Sequence, residues 1–134
     1  MRKWRTIALL AIVTLTIGVT LYFMEHRRDE KVREAYTTWW NQLRAQEYSG
    51  LYTILPNEEK DKIDEKTFGD LYAIFKGYDC DPTRIDHISA NNNSSQIYFK
   101  PLTGSVGRVV FMKRGTNGWW VQNSIGAWTP PFWD

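Results

Sequence analysis

The chain has 134 residues, enough for one domain, and a formal net charge of +2 at pH 7. Three of its 17 Arg and Lys residues precede an apolar N-terminal segment, and the others are balanced by 15 acids, so no basic face for nucleic-acid phosphates is expected. The composition therefore argues against nucleic acid as a partner, and a single cysteine, Cys80, excludes an internal disulfide.

The first predicted element is an uncharged apolar segment, residues 6–23, preceded by Arg2, Lys3 and Arg5. As a helix, its eighteen residues are about 27 Å long, close to the thickness of a bilayer core. No small-residue cleavage site follows, so an uncleaved transmembrane anchor is favoured over a cleaved signal or a buried core helix. Cations on both flanks leave the positive-inside count undecided. The short cationic tail favours a cytoplasmic N-terminus and an extracytoplasmic C-terminal domain.

Two further helices are predicted after the anchor. The first is amphipathic, because apolar residues recur every three or four positions: Val32, Ala35, Tyr36, Trp39, Trp40 and Leu43. Gly50 and Pro56 bracket a short apolar turn, and residues 57–66 read as a solvated link. The second helix is expected to begin at the N-cap Asp64 and to end at Gly77. Its apolar face consists of Phe68, Leu71, Tyr72 and Phe75.

Short β-rich runs fill the rest of the chain. They are residues 83–90, 95–102, 106–114 and 118–125. The NNNSS sequence at 91–95 has turn composition, and GTNG at 115–118 is the strongest hairpin signal. Helices followed by an antiparallel meander predict an α+β domain. We therefore expect a tail and anchor in residues 1–24, a juxtamembrane helix start in 25–31 and the domain in 32–134.

Residues with catalytic or metal-binding chemistry are sparse. His26 and His87 are the only histidines, and their spacing fits no zinc motif. The DCDP sequence at 79–82 reads as a turn, in which Cys80 has no neighbouring His or second thiol. Motifs for serine nucleophiles, nucleotide phosphates and dinucleotides do not occur. The sequence thus predicts a protein that is not an enzyme and binds no metal or cofactor.

Two segments resemble NTF2-like (cystatin-like cone) domains: residues 35–75, AYTTWWNQLRAQEYSGLYTILPNEEKDKIDEKTFGDLYAIF, and the strand pairs SQIYFKPL…GSVGRVVFMKRGTNGWWVQNSIGAWTPPF. Together they are most similar to the N-terminal NTF2-like domain of MecA-type class B penicillin-binding transpeptidases. In that family a single membrane anchor precedes the domain, and a proline-containing exit leads into the next one. The family's catalytic boxes, S-x-x-K, S-x-N and K-T-G, lie in a later domain. S-x-x-K and K-T-G do not occur here, so no family site residue is carried over.

The resemblance implies a cone of two or three helices packed on a curved antiparallel sheet. It further implies a non-catalytic, membrane-tethered envelope protein that acts as a docking or spacer module for cell-wall or secretion/conjugation machinery. Because neighbouring side chains of a strand point to opposite faces, either Trp119 or Trp120 should enter the core. The residues expected to bind a protein partner are Trp120, Trp128, Phe132 and Trp133. The last three of these residues belong to a proline-containing exit segment, which is expected to fold back onto the domain, to contact a partner, or to meet the lipid interface.

Two alternatives stay open. One is a small-ligand-binding or immunity-type inhibitor protein that uses the pocket or the C-terminal aromatic residues. The other is an NTF2-like pocket enzyme, which predicts that Asp70, Asp86 or His87 faces an apolar cavity with a raised carboxylate pKa.

Overall fold

The computed structural model of the chain describes residues 2–74, 80–101 and 107–122. Helices occupy its N-terminal half and strands its C-terminal half, as the sequence predicts for an α+β protein. The elements are α1 (Arg2–Arg44), α2 (Tyr48–Ile54), α3 (Asn57–Lys60), α4 (Glu65–Ala73), a 3-10 turn (Pro82–Arg84), β1 (Ile85–Ala90), β2 (Ser94–Phe99), β3 (Val109–Gly115) and β4 (Gly118–Val121).

The apolar N-terminal segment and the first amphipathic helix form one continuous helix, α1, of 43 residues. At 1.5 Å per residue α1 is about 65 Å long. No break occurs at residues 24–31, because that stretch contains no glycine or proline and is rich in Glu, Arg and Lys, which favour helix. Residues 25–31, predicted as a separate helix start, are therefore part of the same continuous helix as the buried face of α1.

The C-terminus of α1 is closed by a Schellman motif. Gln46 has a positive φ of 60°, and its N–H donates to the carbonyl of Leu43 at 3.1 Å. The N–H of Glu47 donates to the carbonyl of Gln42 at 2.9 Å. These two bonds satisfy carbonyls that the end of the helix leaves open, and the chain reverses into α2.

The core is built on the apolar face of α1, as predicted. Its buried residues are Val32, Tyr36, Trp39, Trp40 and Leu43. Aromatic rings connect this face to the other layers. The ring centroid of Tyr36 lies 5.4 Å from that of Phe99 of β2, and the ring centroid of Trp39 lies 6.1 Å from that of Tyr72 of α4, in an edge-on arrangement. Rings of this size account for a large share of the apolar area that the domain buries.

The start of α4 confirms the predicted cap. The Asp64 side chain accepts a hydrogen bond from the N–H of Thr67 at 2.8 Å. Phe68 and Tyr72 are buried as expected, whereas Phe75 and Gly77 lie outside the described residues.

The segment before α4 differs from the sequence prediction in two places. Gly50 lies inside α2, where it packs against α1 so closely that a Cβ there would be 3.2 Å from Nε2 of Gln42. Part of the predicted solvated link forms the short helix α3. Packing against α1 favours helix here over the glycine's intrinsic preference.

The strands form one antiparallel sheet with the order β1-β2-β3-β4. Gly115 pairs with Gly118 across the predicted hairpin, and Gly118 has a φ of +116°, which favours glycine. At the β1–β2 turn, the Asn91 side chain accepts hydrogen bonds from the N–H groups of Asn93 and Ser94, both at 2.9 Å. Both turn predictions are confirmed.

The two faces of the sheet differ in character. Ile88, Ile97 and Val110 align on the inner face. The outer-face strip consists of His87, Tyr98, Val109 and Phe111. α1 packs across β1 and β4, so the inner face forms the core between the sheet and α1.

Candidate functional site

The paired tryptophans of β4 have different environments. Trp120 is buried, with 6% of its surface exposed, and Trp119 is half-buried. The prediction that one of the two enters the core is confirmed. Of the residues expected to bind a partner, Trp128, Phe132 and Trp133 lie outside the described residues.

Trp120 and Val121 are adjacent in β4, so their side chains point to opposite faces of the sheet, yet both are buried. Pro56 and Glu59 line the same cleft as Trp120, and Nδ2 of Asn117, in the β3–β4 turn, donates to the carbonyl of Leu55 at 3.5 Å. The chain from the end of α2 into α3 therefore lies beside the hairpin. Partner binding through Trp120 stays a prediction and would use only its small exposed surface, so Trp119 is the more accessible ring of the pair.

The three side chains proposed for a pocket enzyme lie on the surface. Asp70 is exposed, and so are Asp86 and His87, whose Oδ2 and Nδ1 atoms are 2.9 Å apart. The His87 ring stacks on Tyr98 at 4.3 Å. The expectation that one of the three faces an apolar cavity is wrong. A β-bulge between Ile85 and His87 and the open outer face of the sheet keep this part of β1 in solvent.

The DCDP stretch forms a turn, as predicted from its composition. The Asp81 side chain accepts hydrogen bonds from the hydroxyl and the N–H of Thr83, at 2.7 and 2.8 Å. These bonds stabilise the carboxylate and lower the pKa of Asp81. Cys80 is buried, and its carbonyl accepts a 2.6 Å hydrogen bond from the Tyr36 hydroxyl. Asp79 lies outside the described residues.

Metal-binding chemistry is not assembled in the described ranges. Within residues 2–74, 80–101 and 107–122, no three His, Cys, Asp or Glu side chains are grouped so that they could hold an ion. His26 instead lies 3.4 Å from Glu30, one turn along α1, with both side chains exposed.

A cleft of about 220 Å³, here named the α1 cleft, lies where α1 crosses one end of the sheet. It is lined by Met24, Arg27, Arg28, Lys31, Asn92, Arg114 and Trp119. Arg114 and Trp119 are direct cross-strand partners on β3 and β4. The N–H of Arg114 donates to the carbonyl of Asn93 at 2.8 Å, which holds the β1–β2 turn beside the β3–β4 hairpin. Both turns therefore lie at the same end of the sheet, beside the same part of α1.

The lining of the α1 cleft is strongly cationic. At about 100° per residue, Arg27, Arg28 and Lys31 fall within one sector of α1 about 100° wide. The acids Glu25, Asp29 and Glu30 lie outside that sector, and Glu34 flanks it one turn farther from the apolar segment. In the described part of the chain the ion pairs are His26–Glu30, Glu59–Lys62 and Asp86–His87, and none of them includes a cation of the cleft.

Asp29 shows that the neighbouring helix surface is only partly solvated. Burial raises the pKa of this carboxyl, and the negative charge of Glu25 adds to the rise, while Arg28 acts in the opposite direction. Asp29 itself is not among the residues that line the cleft, which include no acid. The sequence offered one signal for this site, the three cations spaced at i, i+1 and i+4, but Arg114 and Trp119 join them only in the folded chain.

A larger open cleft, about 620 Å³, lies between α3 and the β3–β4 hairpin. Its lining includes Glu58, Glu59, Lys113, Arg114 and Trp120. Acids and bases are mixed on its walls.

No protein-family model, curated protein or solved structure matches this chain. The likeness to NTF2-like domains, and to that of the MecA-type transpeptidases in particular, therefore stays a prediction from the sequence.

Proposed function

We propose that this chain is a non-catalytic, membrane-anchored protein of the cell envelope whose α+β domain acts as a docking or spacer module for cell-wall or secretion/conjugation machinery. One observation carries the proposal. The apolar half of α1 has a mean hydropathy of 2.3 over its best window, and none of that window is buried in the fold.

The exposed surface of this segment is too apolar for a helix in water. Leu10, Ile12 and Leu15 are each more than 60% exposed. Burying one such side chain is worth about 1.5–3 kcal/mol, and exposed apolar patches larger than a few hundred Å² mark protein or membrane contacts. A bilayer is the environment that fits a single helix of this length.

The spacer role follows from the continuity of α1. Between Met24, at the end of the apolar segment, and Val32, the first buried residue of the core, the helix rises by about 12 Å. Since this interval is regular helix, it holds the domain at a defined height and orientation above the membrane surface. A flexible linker would leave both undefined.

A partner is expected on surfaces that the fold leaves open. The outer-face strip exposes 48% of Phe111 and 36% of Val109, and Trp119 is half-buried at the end of the sheet. Trp128, Phe132 and Trp133 stay candidates from the sequence, because aromatic side chains are enriched among the residues that dominate binding energy. The partner's identity as wall-synthesis or secretion machinery rests on the family resemblance.

A second candidate function, binding of a small ligand as in an immunity or inhibitor protein, is favoured by the larger open cleft. Its mixed lining of Glu58, Glu59 and Lys113 suits a polar ligand with charges of both signs.

The test uses the full chain in cells. After membrane fractionation, alkaline carbonate washing should leave the protein in the bilayer, and a periplasmic-type reporter fused after Asp134 should be active only outside the cytoplasm. A photo-crosslinker at Phe111 should then capture a partner that the same probe at Thr53, on the exposed surface of α2, does not. Release by carbonate would refute the anchor, and cytoplasmic reporter activity would reverse the orientation.

A further inference from the structure

We propose that the α1 cleft is a binding site for the phosphate of an anionic phospholipid headgroup. The inference rests on the proposed anchorage, because it places the cleft at the membrane surface.

The height of the cleft along α1 is the first argument. Met24 directly follows the uncharged segment, and Arg27 and Lys31 lie about 6 Å and 12 Å beyond Phe23 along the axis. The headgroup layer on each side of a bilayer is about 5–8 Å thick. Because side chains on a helix tilt toward its N-terminus, these long cationic side chains lean back toward the bilayer.

The chemistry of the lining is the second argument. Arg27, Arg28 and Arg114 carry guanidinium groups, whose planar fork donates two parallel hydrogen bonds to phosphate oxygens. Lys31 adds a further charge, and Asn92 supplies an amide donor. A phosphodiester with one net negative charge fits this set of donors, which contains no acid.

The apolar members of the cleft point to a lipid rather than a free anion. Met24 joins the cationic lining to the membrane-spanning segment, and the Trp119 ring, half-buried, combines an apolar body with an N–H group. Tryptophan favours the membrane interface for this reason. A volume of about 220 Å³ lies below the ~300–1,000 Å³ typical of pockets that enclose whole drug-sized ligands, so the site suits a headgroup whose acyl chains remain in the bilayer.

The experiment counts lipids bound to the full chain by native mass spectrometry. The protein is released from neutral detergent after equilibration with equal amounts of phosphatidylglycerol and phosphatidylcholine. Wild type should retain phosphatidylglycerol preferentially. Each cation near an anionic lipid contributes about fivefold to the affinity. Removing three cations in the triple variant R27Q/R28Q/R114Q should therefore weaken phosphatidylglycerol binding about 100-fold. The matched control is R33Q, which removes a cation of α1 outside the cleft sector.

Four outcomes overturn the inference; three concern lipid binding alone, and the fourth combines lipid binding with anchorage. The first is equal retention of the two lipids by wild type, and the second is equal loss of phosphatidylglycerol in R33Q and in the triple variant. The third is displacement of the lipid by an equimolar amount of inorganic phosphate, which would make the cleft a general anion site. Carbonate extraction of the same variants separates this inference from the proposed function. Variants that remain anchored but keep their lipid refute the headgroup site alone, whereas a wild-type chain that is extracted refutes the anchor itself.

Discussion

Replacing each tryptophan of the β4 pair by alanine should separate a core residue from a surface residue at adjacent positions. Trp120 is 6% exposed, and its ring packs so closely over the hairpin that a Cβ on Gly115 would lie 3.2 Å from its Cδ1 atom. Truncating a buried aromatic to alanine costs about 3–5 kcal/mol, a large part of a total stability of about 5–15 kcal/mol. Trp119 is half-buried, so W119A should cost about 1 kcal/mol.

The assay is thermal unfolding of the full chain in neutral detergent, followed by near-ultraviolet circular dichroism. At about 4–8 °C per kcal/mol, W120A should lower Tm by about 12 °C or more, and W119A by less than about 8 °C. W4A provides the control, because Trp4 precedes the apolar segment, has 79% of its surface exposed and lies outside the core. Equal losses for W119A and W120A, or a larger loss for W119A, would refute the assignment of Trp120 to the core.

Three further predictions concern a cap, a turn and the C-terminal segment. Hydrogen bonds from the backbone and side chain of Thr67 lower the pKa of Asp64 in the folded protein. The ionised carboxylate therefore stabilises the fold above the unfolded-state pKa of about 3.9, and this stabilisation is lost as pH falls through the lower folded-state pKa. D64N keeps a capping oxygen and should flatten the acid side of a stability-against-pH curve below about pH 4, with little change at pH 7; an unchanged acid limb would contradict this. G118A places a side chain at a φ of +116° and should cost about 1–3 kcal/mol in chemical denaturation, whereas G18A, a glycine with open space around it, should leave the domain's midpoint unchanged. Truncation after Ile125 should spare Tm and abolish partner capture; a lower Tm would show that the removed residues support the core.

Much of the helical half was predictable because its determinants are local. A recurrence of apolar residues every three or four positions identifies the core face of α1 from Val32 to Leu43 without reference to the rest of the chain. The Asp64 cap depends on a neighbour three residues away, and the Gly115–Gly118 turn on residues within the hairpin itself. Gly50 shows the limit of local reasoning, since a contact with Gln42 keeps it helical.

The candidate sites were less predictable, because they depend on residues that are distant in sequence. Asp70, Asp86 and His87 have residue types that suit catalysis, but only the packing of β1 and α4 shows that all three face solvent. The cleft beside Trp120 is shared with Pro56, some sixty residues earlier, and the adjoining turn is hydrogen-bonded to the carbonyl of Leu55. Alternation along a strand predicts that one tryptophan is buried, but it does not say which of the two another segment will cover.

The sequence alone predicted a long uncharged N-terminal helix, an amphipathic aromatic helix after it, and a meander of short strands. Each of these depends on the composition and periodicity of a short stretch of the chain. Only the tertiary structure decided that the first two are a single rod and that its cations meet Arg114 and Trp119 at one end of the sheet. The overall charge is nearly balanced, which concealed this cluster. A local excess of positive charge arises only when folding brings α1 against the ends of β3 and β4, since electrostatic interactions depend on distance in space rather than on separation along the chain.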